Sequence, residues 1–474
     1  MSIQEIAILT LISLLLGWII RRGQRENLLL VSSMVFIYWL QPGMTLRYLS
    51  FWLPTATLCL TMLSWAFTAQ PEIRKQSKNM WTAVLIIIFV IGVSLVRYLE
   101  LGEVLGFLHP PRLGQLILFL IPVMGFFWIL LNTKKISSVA LWGLFSGLIF
   151  IFIIIKTPYL SQQAGAVWRT LAGQSALLAR TEEIRWLGFS YLAFRILHTV
   201  QDRQAGRLPD ITLREYMIYV IFFPSFVAGP IDRVQNFTKD ICQTTSTYQE
   251  DVIKGGERLI VGLFKKFVIA DSLAIIALNN QNASQVNSTF GSWILLYAFS
   301  FQIFFDFSGY TDIAIGLGNL LNIHLPENFK QPYLKPNLTQ FWNNWHMTLT
   351  NWFRTYFFYP LSRTMRKSRK YSAFMILMIS QISTMILVGL WHGVTESFII
   401  WGLWHGLGLL IQNRWSSFAK SKIVKYEESF LLKGAINVIG IFFTFHYVTL
   451  GWIWFVLPEP SQGWIFIKNL FGAA

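Results

Sequence analysis

The sequence predicts an all-α polytopic membrane protein. Of its 474 residues, 54% are hydrophobic and only 13% are charged, and mean hydropathy is +0.50. A soluble chain of this length needs more charge to cover its surface. Runs such as Ala83 to Val96 and Val139 to Ile155 are apolar enough to sit in lipid. The net charge of +16 is spread as small Lys and Arg groups between apolar runs. That is the pattern of cytoplasmic loops and excludes a nucleic-acid surface, which needs a basic stripe with interleaved aromatics.

Residues 1–20 are apolar and end on Arg21-Arg22. A cleaved leader carries its charge before the apolar run, so this segment is expected to be a retained first span. Further apolar segments fall near 27–40, 48–69, 80–98, 114–132, 136–156, 184–200, 214–231, 258–278, 291–322, 372–391, 397–412 and 433–456. They predict roughly eleven to thirteen membrane-embedded helices. Several are shorter than the ~20 residues that cross a bilayer and are expected to be tilted or re-entrant. The groups Arg21, Arg22 and Arg25, then Arg74, Lys75 and Lys78, then Lys134 and Lys135 follow the first, third and fifth spans. The positive-inside rule then puts the N-terminus outside the cytoplasm, with Arg363 to Lys370 and Lys420, Lys422 and Lys425 inside. The chain reads as one membrane domain over residues 1–474, in the cytoplasmic (inner) cell membrane. Residues 1–156 are mainly scaffold, and residues 184–456 carry nearly all the polar groups set in apolar sequence. Cys59 and Cys242 have no metal-ligand spacing.

Four clusters could carry chemistry. Two histidines lie in Trp-rich sequence, His346 after Phe341-Trp342-Asn343-Asn344-Trp345 and His392 within Trp391-His392-Gly393. Ionisable groups at membrane depth are costly and point to function. Periodicity predicts one helix over 341–356 with two faces. Phe341, Trp345, Leu349, Trp352 and Tyr356 form the aromatic side, and Asn343, His346, Thr350 and Arg354 form the polar side. This stripe suits either an interfacial amphipathic helix or the wall of a hydrophilic cavity. His392 suits either a site or a hydrogen bond to a neighbouring helix. A third histidine, His405, repeats the Trp-His-Gly pattern 13 residues on. That spacing is not that of a metal-binding helix turn, so no metal is expected. Asp306 and Asp312 lie in a long apolar run with Tyr310 between them, and must pair, hydrogen-bond or line water. Pro224, Gly229 and Pro230 break the segment 222–233, which must be buried in protein or line a cavity.

The sequence has no phosphate loop, nucleophile elbow or haem motif. Histidine at neutral pH suits removal of a proton from a hydroxyl during attack on an activated acyl group. A polytopic transporter or an export scaffold remains open at this point, although two similar halves with paired broken helices are not visible.

The motifs Val227 to Arg233, Asp306 to Tyr310, Pro326-Glu327-Asn328-Phe329, Phe341-Trp342, Trp345-His346, Trp352-Phe353-Arg354 and Trp391-His392-Gly393 resemble, in order, the membrane-bound O-acyltransferase superfamily. The likeness is to its bacterial branch of alginate O-acetylation and teichoic acid D-alanylation proteins. The resemblance implies a curved ring of helices around a central tunnel, with an acyl donor from the cytoplasm and an acceptor from outside. It makes His392 and His346 the catalytic pair. Asn343, Thr350, Arg354, Asp306, Tyr310 and His405 become candidate tunnel residues. Asn344 and Thr355 depart from the pattern, which commonly has Arg and Asp there. The implied reaction is O-acetylation, or a related short acylation, of an extracytoplasmic polysaccharide, with D-alanyl transfer to an envelope polymer as the alternative. No tightly bound cofactor is expected. The donor is acetyl-CoA or an acyl carrier thioester. The implied partners are the lipid bilayer, an extracytoplasmic protein that handles the acceptor, and a cytoplasmic acyl carrier.

Overall fold

The computed structural model describes residues 1–20, 25–99, 110–242, 247–423 and 430–473, without the side chains of residues 20, 419–423 and 430–432. The described residues are all-α. Seven helices among them are long and apolar enough to cross a membrane. Of the basic groups used for orientation, Arg21, Arg22 and Lys425, and the side chains of Lys420 and Lys422, lie outside the described residues.

Packing gathers the chain into two compact units, residues 1–257 with 314–325 and residues 258–313 with 326–474. The first unit holds α1 (Ile3–Ile20), α2 (Arg25–Trp39), α3 (Leu49–Thr68), α4 (Ser77–Leu95), α5 (Leu113–Asn132) and α6 (Ser138–Lys156). It continues with α7 (Pro158–Leu171), α8 (Phe189–Gln204), α9 (Leu213–Ile221), α10 (Val234–Cys242) and most of α11 (Tyr248–Leu263). Helix α3 is its centre, 78% buried over its apolar window, while α6 is only 11% buried and turns its apolar surface outward. The hydroxyls on α3 are satisfied locally: Thr55, Thr61 and Thr68 each donate to the carbonyl four residues back. That accounts for polar residues inside an apolar helix.

The broken segment is buried as expected. After α9 a short helical turn at Phe223–Phe226 gives way to irregular chain at 229–233. The freed carbonyls are met by buried Arg195, which donates to Tyr219, Val220 and Ser225. Buried backbone must find partners, and one guanidinium here supplies several. The Asp232 side chain is buried and accepts from the Arg233 N–H. Arg74 is buried too and donates to the Leu130 and Thr133 carbonyls at the end of α5. Unpaired C-terminal carbonyls attract a cation.

The second unit begins at Arg258, within α11, which continues as a π-helix over Phe264–Ala270. It packs on α12 (Thr289–Leu320), whose residues up to Ile313 belong to this unit. The backbones nearly touch, since a side-chain carbon at Gly262 would lie 2.7 Å from the Gly309 carbonyl oxygen. Arg258 and Lys265 reach Asp312 at 2.5 and 2.6 Å, and Lys266 pairs with Asp306. Both carboxylates of the apolar run are therefore paired.

Next come α13 (Leu338–Asn344), α14 (Met347–Phe353), a π-turn at Arg354–Phe358 and α15 (Tyr359–Ser368), which carries exposed Arg363, Arg366 and Lys367. Helices α16 (Ala373–His392) and α17 (Glu396–Ile423) form a tight hairpin. Residue 402 must be glycine at this separation: a side-chain carbon there would sit 2.7 Å from the Ile386 Cα and the Met385 carbonyl oxygen. Small residues at such a crossing let membrane helices approach closely. Helix α18 (Phe430–Val456) is tied to α17 by two reciprocal bonds, Trp404 Nε1 to the Tyr447 carbonyl at 3.0 Å and Tyr447 OH to the Trp404 carbonyl at 2.6 Å. Helix α19 (Pro460–Leu470) closes an apolar cluster with Ile453 and Leu457.

Candidate functional site

The single helix expected over 341–356 is two helices. The chain breaks at Trp345 and His346, and His346 is left-handed at φ 42°, ψ 54°. A non-glycine residue with positive φ is uncommon and persists only where its surroundings hold it. Here the segment around Asn328 supplies the hold. Met347 N–H donates to the Asn328 carbonyl at 2.9 Å, and Lys330 N–H donates to the Asn344 carbonyl at 3.1 Å. These tertiary bonds outweigh the helical periodicity of the sequence.

The break turns His346 into the wall of a cavity of about 390 Å³. All its lining residues belong to the second unit. Asn343, His346, Thr350 and Arg354 of the polar stripe line it, and so does His392. Trp345 and Leu349 reach it as well, although the single-helix reading put them on the opposite face. The changed register at the break accounts for this.

Helix α16 gives the cavity one whole face: Leu377, Gln381, Thr384, Met385, Val388 and His392. Their separations of four, three, one, three and four residues are those of a single helical stripe. Gln381 and Thr384 escaped the sequence reading, as did Asn413 of α17, which donates to Gln381 Oε1 at 3.2 Å. The signal was available as two polar side chains in an apolar helix, in phase with His392.

His346 is buried, with its ring edge-on to Phe307 at 4.7 Å. Its Nδ1 lies 3.1 Å from Asn328 Oδ1. His392 ends α16, half-buried, among Trp391, Phe398, Trp401 and Phe455. The Trp391 ring is common to both histidines, 5.9 Å from His346 and 4.5 Å from His392. Arg354 donates to Asn343 and Asn351, both neutral amides. Among the described residues no carboxylate pairs with it.

Three expected tunnel residues lie elsewhere. Asp306 is turned to Lys266, and Tyr310, one helical turn on, is buried; neither lines the cavity. His405 is fully buried on a different helix from His392, against Trp342 and Trp401 at 5.0 and 4.9 Å. Those two rings line the cavity; His405 does not.

A largely apolar pocket with a few convergent polar groups is what a small-molecule site requires. A neutral imidazole in its wall can take a proton from a hydroxyl.

Comparison with known proteins points the same way. Residues 126–451 match the model of the membrane-bound O-acyltransferase family. The chain is 30% identical over 272 residues to the teichoic acid D-alanyltransferase of Bacillus subtilis, covering 56% of this chain and 68% of that one. It is 34% identical over 270 residues to a probable alginate O-acetylase of Pseudomonas syringae, covering 57% of this chain and 48% of that one. It is 33% identical over 260 residues to the peptidoglycan O-acetyltransferase of Helicobacter pylori, covering 54% and 46%. The match thus spans about half the length of the last two relatives.

Proposed function

From the premise that this chain belongs to the membrane-bound O-acyltransferase family, we propose that it moves a short acyl group, acetyl in the first instance, from a cytoplasmic thioester donor to hydroxyls of an extracytoplasmic polysaccharide. The observation that carries this reading is that His346 and His392 line one cavity that is otherwise largely aromatic and aliphatic. One imidazole removes the acceptor's hydroxyl proton, and the oxygen attacks the thioester carbonyl. The acyl carbon–oxygen bond forms, the carbon–sulfur bond breaks, and the proton passes to the departing thiolate. A positioned base contributes about 10²–10⁴-fold.

His392 is the proposed base, and His346 acts with it. Asn343, Thr350 and Arg354 line the path of the polar substrates. Arg354 is the cation available to an anionic substrate group, a phosphate of the donor or a carboxylate of the polymer. A cytoplasmic acyl carrier and an extracytoplasmic acceptor-handling protein are the proposed partners, with the N-terminus outside and the basic face of α15 inside. The relatives named as O-acetylases favour acetyl. A second reading, D-alanyl transfer to an envelope polymer, is favoured by the 70% coverage of the teichoic acid D-alanyltransferase of Streptococcus thermophilus.

The test is mass analysis of envelope polymers from cells with and without the protein. Loss of O-acetyl esters supports the first reading, and loss of D-alanyl esters supports the second. The His392→Gln protein separates an enzyme from a transporter or export scaffold. An enzyme loses the ester, whereas a scaffold keeps it.

A further inference from the structure

Asn328 Oδ1 collects three partners: the backbone N–H of Thr348 at 3.2 Å, the Thr348 hydroxyl at 2.9 Å and His346 Nδ1 at 3.1 Å. A backbone N–H can only donate, so the atom it meets is the amide oxygen and not the nitrogen. This excludes the flipped amide. An amide oxygen can only accept, so His346 Nδ1 must carry a hydrogen. The other ring nitrogen, Nε2, is buried and has no hydrogen-bond partner among the described residues. A neutral imidazole carries one hydrogen, so with Nδ1 holding it Nε2 is the bare nitrogen.

We infer that Asn328 is a positioning residue. It fixes His346 as the Nδ1–H tautomer and keeps the Nε2 lone pair free to accept a hydrogen bond from a neighbouring hydroxyl of the acceptor, which positions the reacting hydroxyl for His392. This rests on the acyl-transfer reading for the identity of the donor, while the tautomer rests on geometry alone. A buried acceptor with no donor costs stability and calls for a use. His346 lines the cavity, where a substrate hydroxyl supplies the missing donor.

The same short segment fixes the backbone. The Asn328 carbonyl accepts from Met347 N–H, which holds the left-handed turn that presents the ring. Asn328 therefore sets both the direction of the imidazole and the nitrogen that is free to accept. While its ring is neutral, His346 can only accept at Nε2.

The experiment uses the full chain in nanodiscs with its histidines labelled with nitrogen-15. The chain has seven, and the His346 signal is assigned by its loss in His346→Gln. The wild-type ring should show hydrogen on Nδ1 and none on Nε2. Hydrogen on Nε2 would overturn the inference. Asn328→Leu removes the acceptor and should lower kcat on the order of 10²-fold, the scale of a misplaced substrate, with KM nearly unchanged.

Asn328→Asp keeps an acceptor oxygen and adds charge, which favours the imidazolium. His346 Nε2 accepts only while the ring is neutral, so the acidic limb of the pH–rate profile should move to higher pH. A purely structural asparagine would scale the rate and leave that limb in place, which would count against the inference. Should Asn328→Leu fail to fold, the wild-type tautomer and the Asn328→Asp profile still decide. The Nδ1–H tautomer in a protein that transfers no acyl group would defeat the proposed function alone. Acyl transfer with hydrogen on Nε2 would defeat this inference alone.

Discussion

Substituting Gly402 with Ala tests whether the α16–α17 hairpin sets the cavity. The new carbon would meet the Ile386 Cα and the Met385 carbonyl oxygen at 2.7 Å, and the Ile386 nitrogen at 2.9 Å. All three are backbone atoms, so no side chain can turn aside. Moving from 2.7 Å to the 3.4 Å where ordinary contact begins requires about 0.7 Å of separation between the helices. Overpacking of this kind costs roughly 1–3 kcal/mol. The displaced helix carries Gln381, Thr384 and His392, so the shift reaches the reacting groups. A misplacement of about 1 Å can cost on the order of 10² in rate. We expect a loss of acyl transfer of at least about 10-fold, with an apparent melting temperature lowered by a few degrees. Rates would be read in membranes at matched protein levels, and melting in detergent. Gly434→Ala is the control, because a side-chain carbon there meets nothing within 4 Å. Gly402→Ala indistinguishable from this control in rate and melting would refute the reasoning.

Two further substitutions probe charge. Burial raises the Asp232 carboxyl from 3.8 to about 6, against the pull of the Arg233 N–H and the Asn236 amide. The native state then holds a proton that the unfolded chain releases, so stability falls as pH rises from about 4 to about 6 and levels off above. Asp232→Asn should remove that slope and raise stability above pH 6 by up to roughly 3 kcal/mol. An unchanged slope in melting temperature between pH 4.5 and 7.5 would reject Asp232 as its source. Arg354→Gln should raise KM for an anionic substrate about 10–100-fold, the scale of a charged hydrogen bond, and leave kcat within a few-fold. An unchanged KM would remove Arg354 from substrate binding.

Much of the fold was legible because lipid imposes a simple rule, that spans must be long and apolar. The runs at 48–69, 80–98, 114–132, 136–156 and 372–391 all correspond to helices with nearly those bounds. Helices α7 and α19 were missed because they are short and mixed in character. Pro158 and Pro460, each at a helix start, were the signal for them. The stripe from Asn343 to Arg354 was found, but for an incomplete reason. Periodicity implied a continuous helix, whereas backbone bonds from Asn328 and Lys330 break it and bring Trp345 to the cavity too. No local pattern reveals a bond between residues this far apart in the chain. The same holds for Asp306, whose partner Lys266 lies 40 residues away. His405 shared a motif with His392 but not its helix, and the motif could not tell a cavity wall from the layer behind it.

The central claim is that the cavity holding His346 and His392 is where the acyl group changes hands. The most direct measurement is the rate of acyl transfer from a thioester donor to a polysaccharide hydroxyl by the purified protein, wild type against His392→Gln, at equal melting temperature. Removal of the general base should slow transfer by about 10²–10⁴-fold. A His392→Gln protein that melts normally and transfers at the wild-type rate would contradict the account.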